Sequence, residues 1–128
     1  MSTSSRFASG TDPISLGRDN TDRILNNQFI QPAFASTIAI NPSNANTLVQ
    51  LALTGACTIS VGVGSASTAP YVGDKITFLF TAASTEIVTF GTGTLPTATL
   101  SVTGTKTASI SFIFNGASWC ETARSVTA

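Results

Sequence analysis

Beyond Ala33 the chain settles into short runs in which apolar and polar residues alternate, rich in Val, Ile, Phe and Thr. Clusters of Gly, Pro, Asn and Ser separate them. A period of two places every second side chain on one face, as a half-buried strand requires, and no run with the helical period competes. The pattern predicts about eight short strands, at 34–40, 47–53, 57–63, 75–81, 86–90, 98–102, 107–114 and 118–124. Many short strands between turn signals favour an all-β fold, an antiparallel, jelly-roll-like β-sandwich or a small barrel.

The breaks have physical causes. Asn41-Pro42-Ser43-Asn44 cannot continue a ladder, Pro70 cannot donate a bond, and Gly91-Thr92-Gly93 admits positive φ. The sharpest local signal is Asn115-Gly116 after the alternating run Ser109-Ile110-Ser111-Phe112-Ile113-Phe114, because Asn-Gly supplies the residues of a type I′ hairpin. If those two residues form the loop, Phe112 faces Trp119; if 115–118 form it, Phe114 does. Either register keeps Trp119 on the phenylalanine face. Phe112, Phe114 and Trp119 are therefore read as a core or interface hairpin, a sugar-stacking role for the single Trp being the alternative. Cys57 shares a face with Ile59, Val61 and Val63 and reads as a small buried hydrophobe; a bridge to Cys120 or a reactive thiol is the other reading.

The first 32 residues are different: polar, mixed in charge and weakly periodic, with a short turn of helix expected at Asp19–Leu25, capped by Asp19 or Asn20. They are expected to form an extended N-terminal arm, with residues 33–128 as the β-domain. The charge distribution sharpens this division. Only 9% of residues are charged, against about 25% in ordinary domains, and six Lys+Arg balance six Asp+Glu. Arg6, Asp12, Arg18, Asp19, Asp22 and Arg23 fall in the first 23 residues, and none occurs from Ile24 to Gly73. Hydroxyls take the place of charge: 21 Thr and 16 Ser. Such a surface stays wet but offers little like-charge repulsion against association, which suits an assembly component. With no basic footprint, no nucleic-acid partner is expected. With 42% hydrophobic residues, wholesale disorder is excluded.

Candidate chemistry is sparse. The chain has no His, so Ser-His-Asp and Cys-His arrangements and the usual zinc sites cannot be built within it, and neither an enzyme nor a cofactor is expected. Asp19-Asn20-Thr21-Asp22-Arg23 lacks the glycine and closing glutamate of a calcium loop. Gly104-Thr105-Lys106-Thr107 lacks the spacing of a phosphate loop and reads as a hairpin turn. MSTSSRFASGTDP carries no secretory signal, and no apolar run approaches the length of a membrane-spanning helix, so no membrane partner is expected.

From Lys75 to Arg124 the chain resembles the C-terminal part of small virion proteins of tailed bacteriophages: an alternating aromatic strand, an Asn-Gly turn, then a Trp followed by Glu and Arg. Here these are Phe112, Phe114, Asn115, Gly116, Trp119, Glu121 and Arg124. The resemblance takes in capsid decoration (cement) proteins and tail-fibre or tailspike heads, usually trimeric; it supplies no role for Cys120. It implies a virion part without choosing which; the expectation favoured here is a homotrimer on the capsid surface, bound to the major capsid protein. The arm would make the contact, with Arg18, Asp19, Asp22 and Arg23 setting register and Ile24, Leu25 and Phe29 giving apolar area. The arm also reads as a flexible terminus or as a first strand of the β-domain. The alternative function is a receptor-binding fibre tip, for which the loop 64–73 with Tyr71 is the candidate surface.

Overall fold

A computed structural model of the chain describes residues 27–64, 70–95 and 98–126. They contain ten strands and no helix: β1 (Gln28–Ile30), β2 (Thr37–Ile40), β3 (Asn46–Leu53), β4 (Cys57–Val61), β5 (Lys75–Ala82), β6 (Glu86–Phe90), β7 (Thr94–Leu95), β8 (Ala98–Val102), β9 (Thr107–Phe114) and β10 (Trp119–Val126). Eight of these match the expected strands to within a few residues. The additions are β7, two residues long, and β1, which lies in the segment assigned to the arm and pairs with β3.

The strands form a larger sheet, ordered β1-β3-β5-β9-β10-β7, and a smaller one, ordered β2-β4-β6-β8. From β1 to β9 each strand lies in the opposite sheet from its predecessor. Up to β6 the chain thus winds as a flattened coil, and strands two apart in sequence become neighbours running the same way. Five of the eight strand pairings are parallel: β1–β3, β3–β5, β2–β4, β4–β6 and β7–β10. Only β5–β9, β9–β10 and β6–β8 are antiparallel. The expected antiparallel, jelly-roll-like ladders are therefore corrected to mixed sheets. The reason is that most turns carry the chain across the gap between layers, about 10 Å, instead of folding it back beside itself at about 4.8 Å. The turn at Gly104 is one of these: it joins β8 of the smaller sheet to β9 of the larger and is no hairpin.

The two sheets pack their apolar faces together in a sandwich-like arrangement around one core. Phe78 of β5 meets Phe90 of β6 edge to face at 5.2 Å, and Phe90 meets Phe112 of β9 at 5.1 Å. Aromatic pairs in this geometry add to the area they bury. Burial alternates strictly along β2, β3 and β5, so the period read from the sequence is the one that builds the core.

Gly93 shows how closely the coil is wound. Its φ is +92°, and a Cβ there would lie 1.9 Å from the Val61 carbonyl oxygen. Only glycine lets the chain pass this close to β4 on its way from β6 to β7.

Candidate interaction surfaces

Three predicted site residues lie together in the core. Trp119 is 0% exposed, and Phe112 and Phe114 are also buried. The register is set by the longer loop: Asn115 N–H donates to the Ser118 carbonyl at 3.0 Å, and the Asn115 side-chain oxygen accepts from the N–H groups of Ala117 and Ser118. Trp119 consequently pairs with Phe114, with ring centroids 5.2 Å apart. Its indole N–H donates to the Gly62 carbonyl at 3.0 Å and its backbone N–H to the Gly93 carbonyl at 2.8 Å. A fully buried ring cannot stack on a sugar, which overturns that alternative. Of the remaining candidates, Phe29 stands on β1, 56% exposed, while Arg18, Asp19, Asp22, Arg23, Ile24 and Leu25 lie outside the described residues.

The outward faces of the sheets are the surfaces available for recognition. On the larger sheet, the register aligns Phe29, Leu48, Thr77, Ser111 and Ala123 in one row across five strands. A neighbouring row holds Asn46, Lys75, Ile113, Cys120 and Leu95. Leu48 is 38% exposed and Leu95 50%. Thr77 and Ser111 share a hydrogen bond between hydroxyls at 3.1 Å. Lys75, at the start of β5, is the one charged residue among the outward-facing strand positions described in this sheet. Beside it, Phe29, Leu48 and Thr77 border a shallow cleft of about 400 Å³.

The smaller sheet carries a different surface. Thr37, Thr58, Thr89 and Thr99 face each other in a single ladder across all four strands, each exposed. None of its outward strand positions is charged.

The open seam between the sheets, where β10 and β8 are close, is closed by charge. Arg124 holds Glu121 with two hydrogen bonds, 2.6 and 2.7 Å, and donates a third to the Thr99 carbonyl at 2.9 Å. The third bond crosses from one sheet to the other and occupies an acceptor on the edge of β8, a site that would otherwise invite another strand. The Arg124 guanidinium holds the Glu121 carboxyl below its usual range, chiefly through the direct hydrogen bonds.

Both cysteines are free. Cys57 points into the core from the smaller sheet, and Cys120 shares the outer face of the larger sheet with Ile113, so the two cannot meet in a disulfide. Burial pushes the Cys57 thiol up. Among the described residues, no group of three or more His, Cys, Asp or Glu could hold a metal ion, and no helix is long and apolar enough to cross a membrane.

Leu48, Leu95 and Ile113 were not among the candidates from sequence. Leu48 beside Val49 and Ile113 between Phe112 and Phe114 stand in unbroken apolar runs, the pattern of strands covered on both faces, whereas Leu95, between Thr94 and Pro96, carried no such signal.

No family model matches the chain, and no curated protein matches it. Among solved structures, one described as "Structure of a chaperone-substrate complex" is similar, at 13% identity with a TM-score of 0.45, covering 73% of this chain and 16% of that one. The chain thus spans a small part of that longer protein.

Proposed function

We propose that this chain is a structural part of a bacteriophage particle: a capsid decoration protein that binds the shell of the major capsid protein as a homotrimer and stabilises it. The observation that carries the reading is the pairing of a tightly wound core with outer sheet faces almost without charge, built of hydroxyls, methyls and a few exposed apolar side chains. Such faces associate closely without desolvating charge. The resemblance of the hairpin around Trp119 supports a virion setting. Arg18, Asp19, Asp22, Arg23, Ile24 and Leu25, which precede β1, would contact the shell, with ion pairs fixing register. No catalytic step, cofactor or nucleic acid enters this role.

A second reading, a receptor-binding head of a tail fibre, is favoured by one observation: Tyr71 and Val72 are both exposed in a loop at the end of the larger sheet. Mixing the full chain with purified shells that lack it separates the two. Saturable co-sedimentation, weakened by Arg18→Glu with Arg23→Glu, and a raised shell melting temperature are expected. Absence of shell binding, with binding to tails or host cells instead, would favour the second reading.

A further inference from the structure

We infer that the outer face of the six-stranded sheet, centred on Phe29 and Leu48, is the surface through which a second copy of this chain docks. The inference deepens the homotrimer reading above and rests on it for the premise of self-association.

Chemistry distinguishes this face from the other. The smaller sheet shows water a row of threonine hydroxyls with Ile87 as its one large exposed apolar residue, whereas the larger one shows Phe29, Leu48 and Leu95, with Ile113 and Leu79 half-buried. The exposed apolar residues of the larger sheet's outer face, Phe29, Leu48 and Leu95, lie on the parallel strand pairs β1–β3, β3–β5 and β7–β10. Parallel strands are seldom left open to water on either face, and their apolar outward positions are the usual sign of a covering layer. In the described residues the inner face is covered by the smaller sheet and nothing covers the outer one.

Area and charge agree on the occupant. Five strands of this length present a face of roughly 600 Å² before side-chain relief is counted. That is close to the roughly 800 Å² per partner of an ordinary stable interface. Lys75 is the single charge and sits at the end of β5, where an interface keeps its polar rim. A face with neither sign of charge in its middle can be covered by an uncharged surface of a neighbouring copy, as a closed three-fold ring requires, whereas a charged partner would leave its own groups unpaired. The Thr77–Ser111 hydroxyl pair satisfies itself across strands and can be covered without losing its bond.

The test is the sedimentation-equilibrium mass of the full chain, with three variants. Leu48→Glu places a charge in the middle of the face; Phe29→Ser removes apolar area from a residue already half exposed, and so preserves the fold if Leu48→Glu does not. Thr58→Glu places a charge on the opposite, threonine-lined face. The wild type is expected to be oligomeric, with Leu48→Glu and Phe29→Ser weakening association by about ten- to a hundredfold and Thr58→Glu leaving it intact. An oligomer that survives both face variants, or that Thr58→Glu dissociates, overturns the inference while leaving the decoration reading standing. A monomeric wild type whose shell binding is lost with Leu48→Glu overturns it as well, because the face then belongs to the shell protein. Oligomers that depend on Leu48 but never bind shells uphold the inference and remove the decoration reading.

Discussion

The indole N–H of Trp119, on β10 of the larger sheet, donates to the carbonyl of Gly62, just beyond β4 of the smaller sheet, at 3.0 Å. The bond joins the aromatic hairpin to the opposite layer, 57 residues away in sequence. Trp119→Phe keeps most of the ring's packing but leaves the Gly62 carbonyl without its donor. A loss of about 2 kcal/mol is expected in guanidinium unfolding. A loss below about 0.5 kcal/mol would show that water replaces the donor.

Gly93 and Gly73 separate two costs of replacing glycine. Both have positive φ, +92° and +91°, but a Cβ at Gly73 meets nothing within 4 Å, while at Gly93 it collides with the Val61 carbonyl. Gly73→Ala is expected to cost about 1–2 kcal/mol, the backbone penalty alone. Gly93→Ala is expected to cost at least about 3 kcal/mol or prevent folding, since β4 or β7 must move. Equal costs at the two sites would contradict the close winding of the coil.

These examples show where the sequence was legible. The alternation in 75–81, 86–90 and 107–114 marked strands and core positions directly, because burial on one face imposes a period of two. The wiring was not legible. A turn such as Asn41-Pro42-Ser43-Asn44 carries the same residues whether it folds a hairpin or crosses between layers, so the parallel pairings left no local trace. The Asn115-Gly116 signal located the hairpin, but the Asn115 side chain, accepting two backbone N–H groups, selected the four-residue loop. For the surfaces, Leu48 and Ile113 were hidden in runs that looked like core, and the Arg124 to Thr99 bond depends on a register known only from the fold.

The Glu121–Arg124 pair makes a pH prediction. The Glu121 carboxyl is lowered in the folded chain from an ordinary value of 4.5, so its contribution is present above that value and is lost as pH falls through the lower, folded value. Because the pair is partly exposed, that contribution is small, at most about 1 kcal/mol. The melting temperature of Glu121→Gln should fall slightly below that of the wild type at neutral pH and converge with it in acid. A gap that persists or widens in acid would show that the carboxylate is not the source.

The cysteines should differ in reactivity. Cys57 is buried and its thiol is raised, whereas Cys120 is partly open on the outer face. A thiol reagent applied at neutral pH to the Leu48→Glu variant, whose outer face is uncovered, is expected to label Cys120 alone while the chain is native, with Cys57 reacting only on unfolding. The Cys120→Ser variant should remain unlabelled while native. Rapid native labelling of that variant would contradict the burial of Cys57.

The central claim, a role in the shell, is tested most directly by the number of copies per particle, measured by quantitative mass spectrometry of purified virions. A decoration protein is expected in a fixed, high ratio to the major capsid protein, retained on emptied shells and absent from isolated tails. A handful of copies, recovered with the tails, would contradict the account.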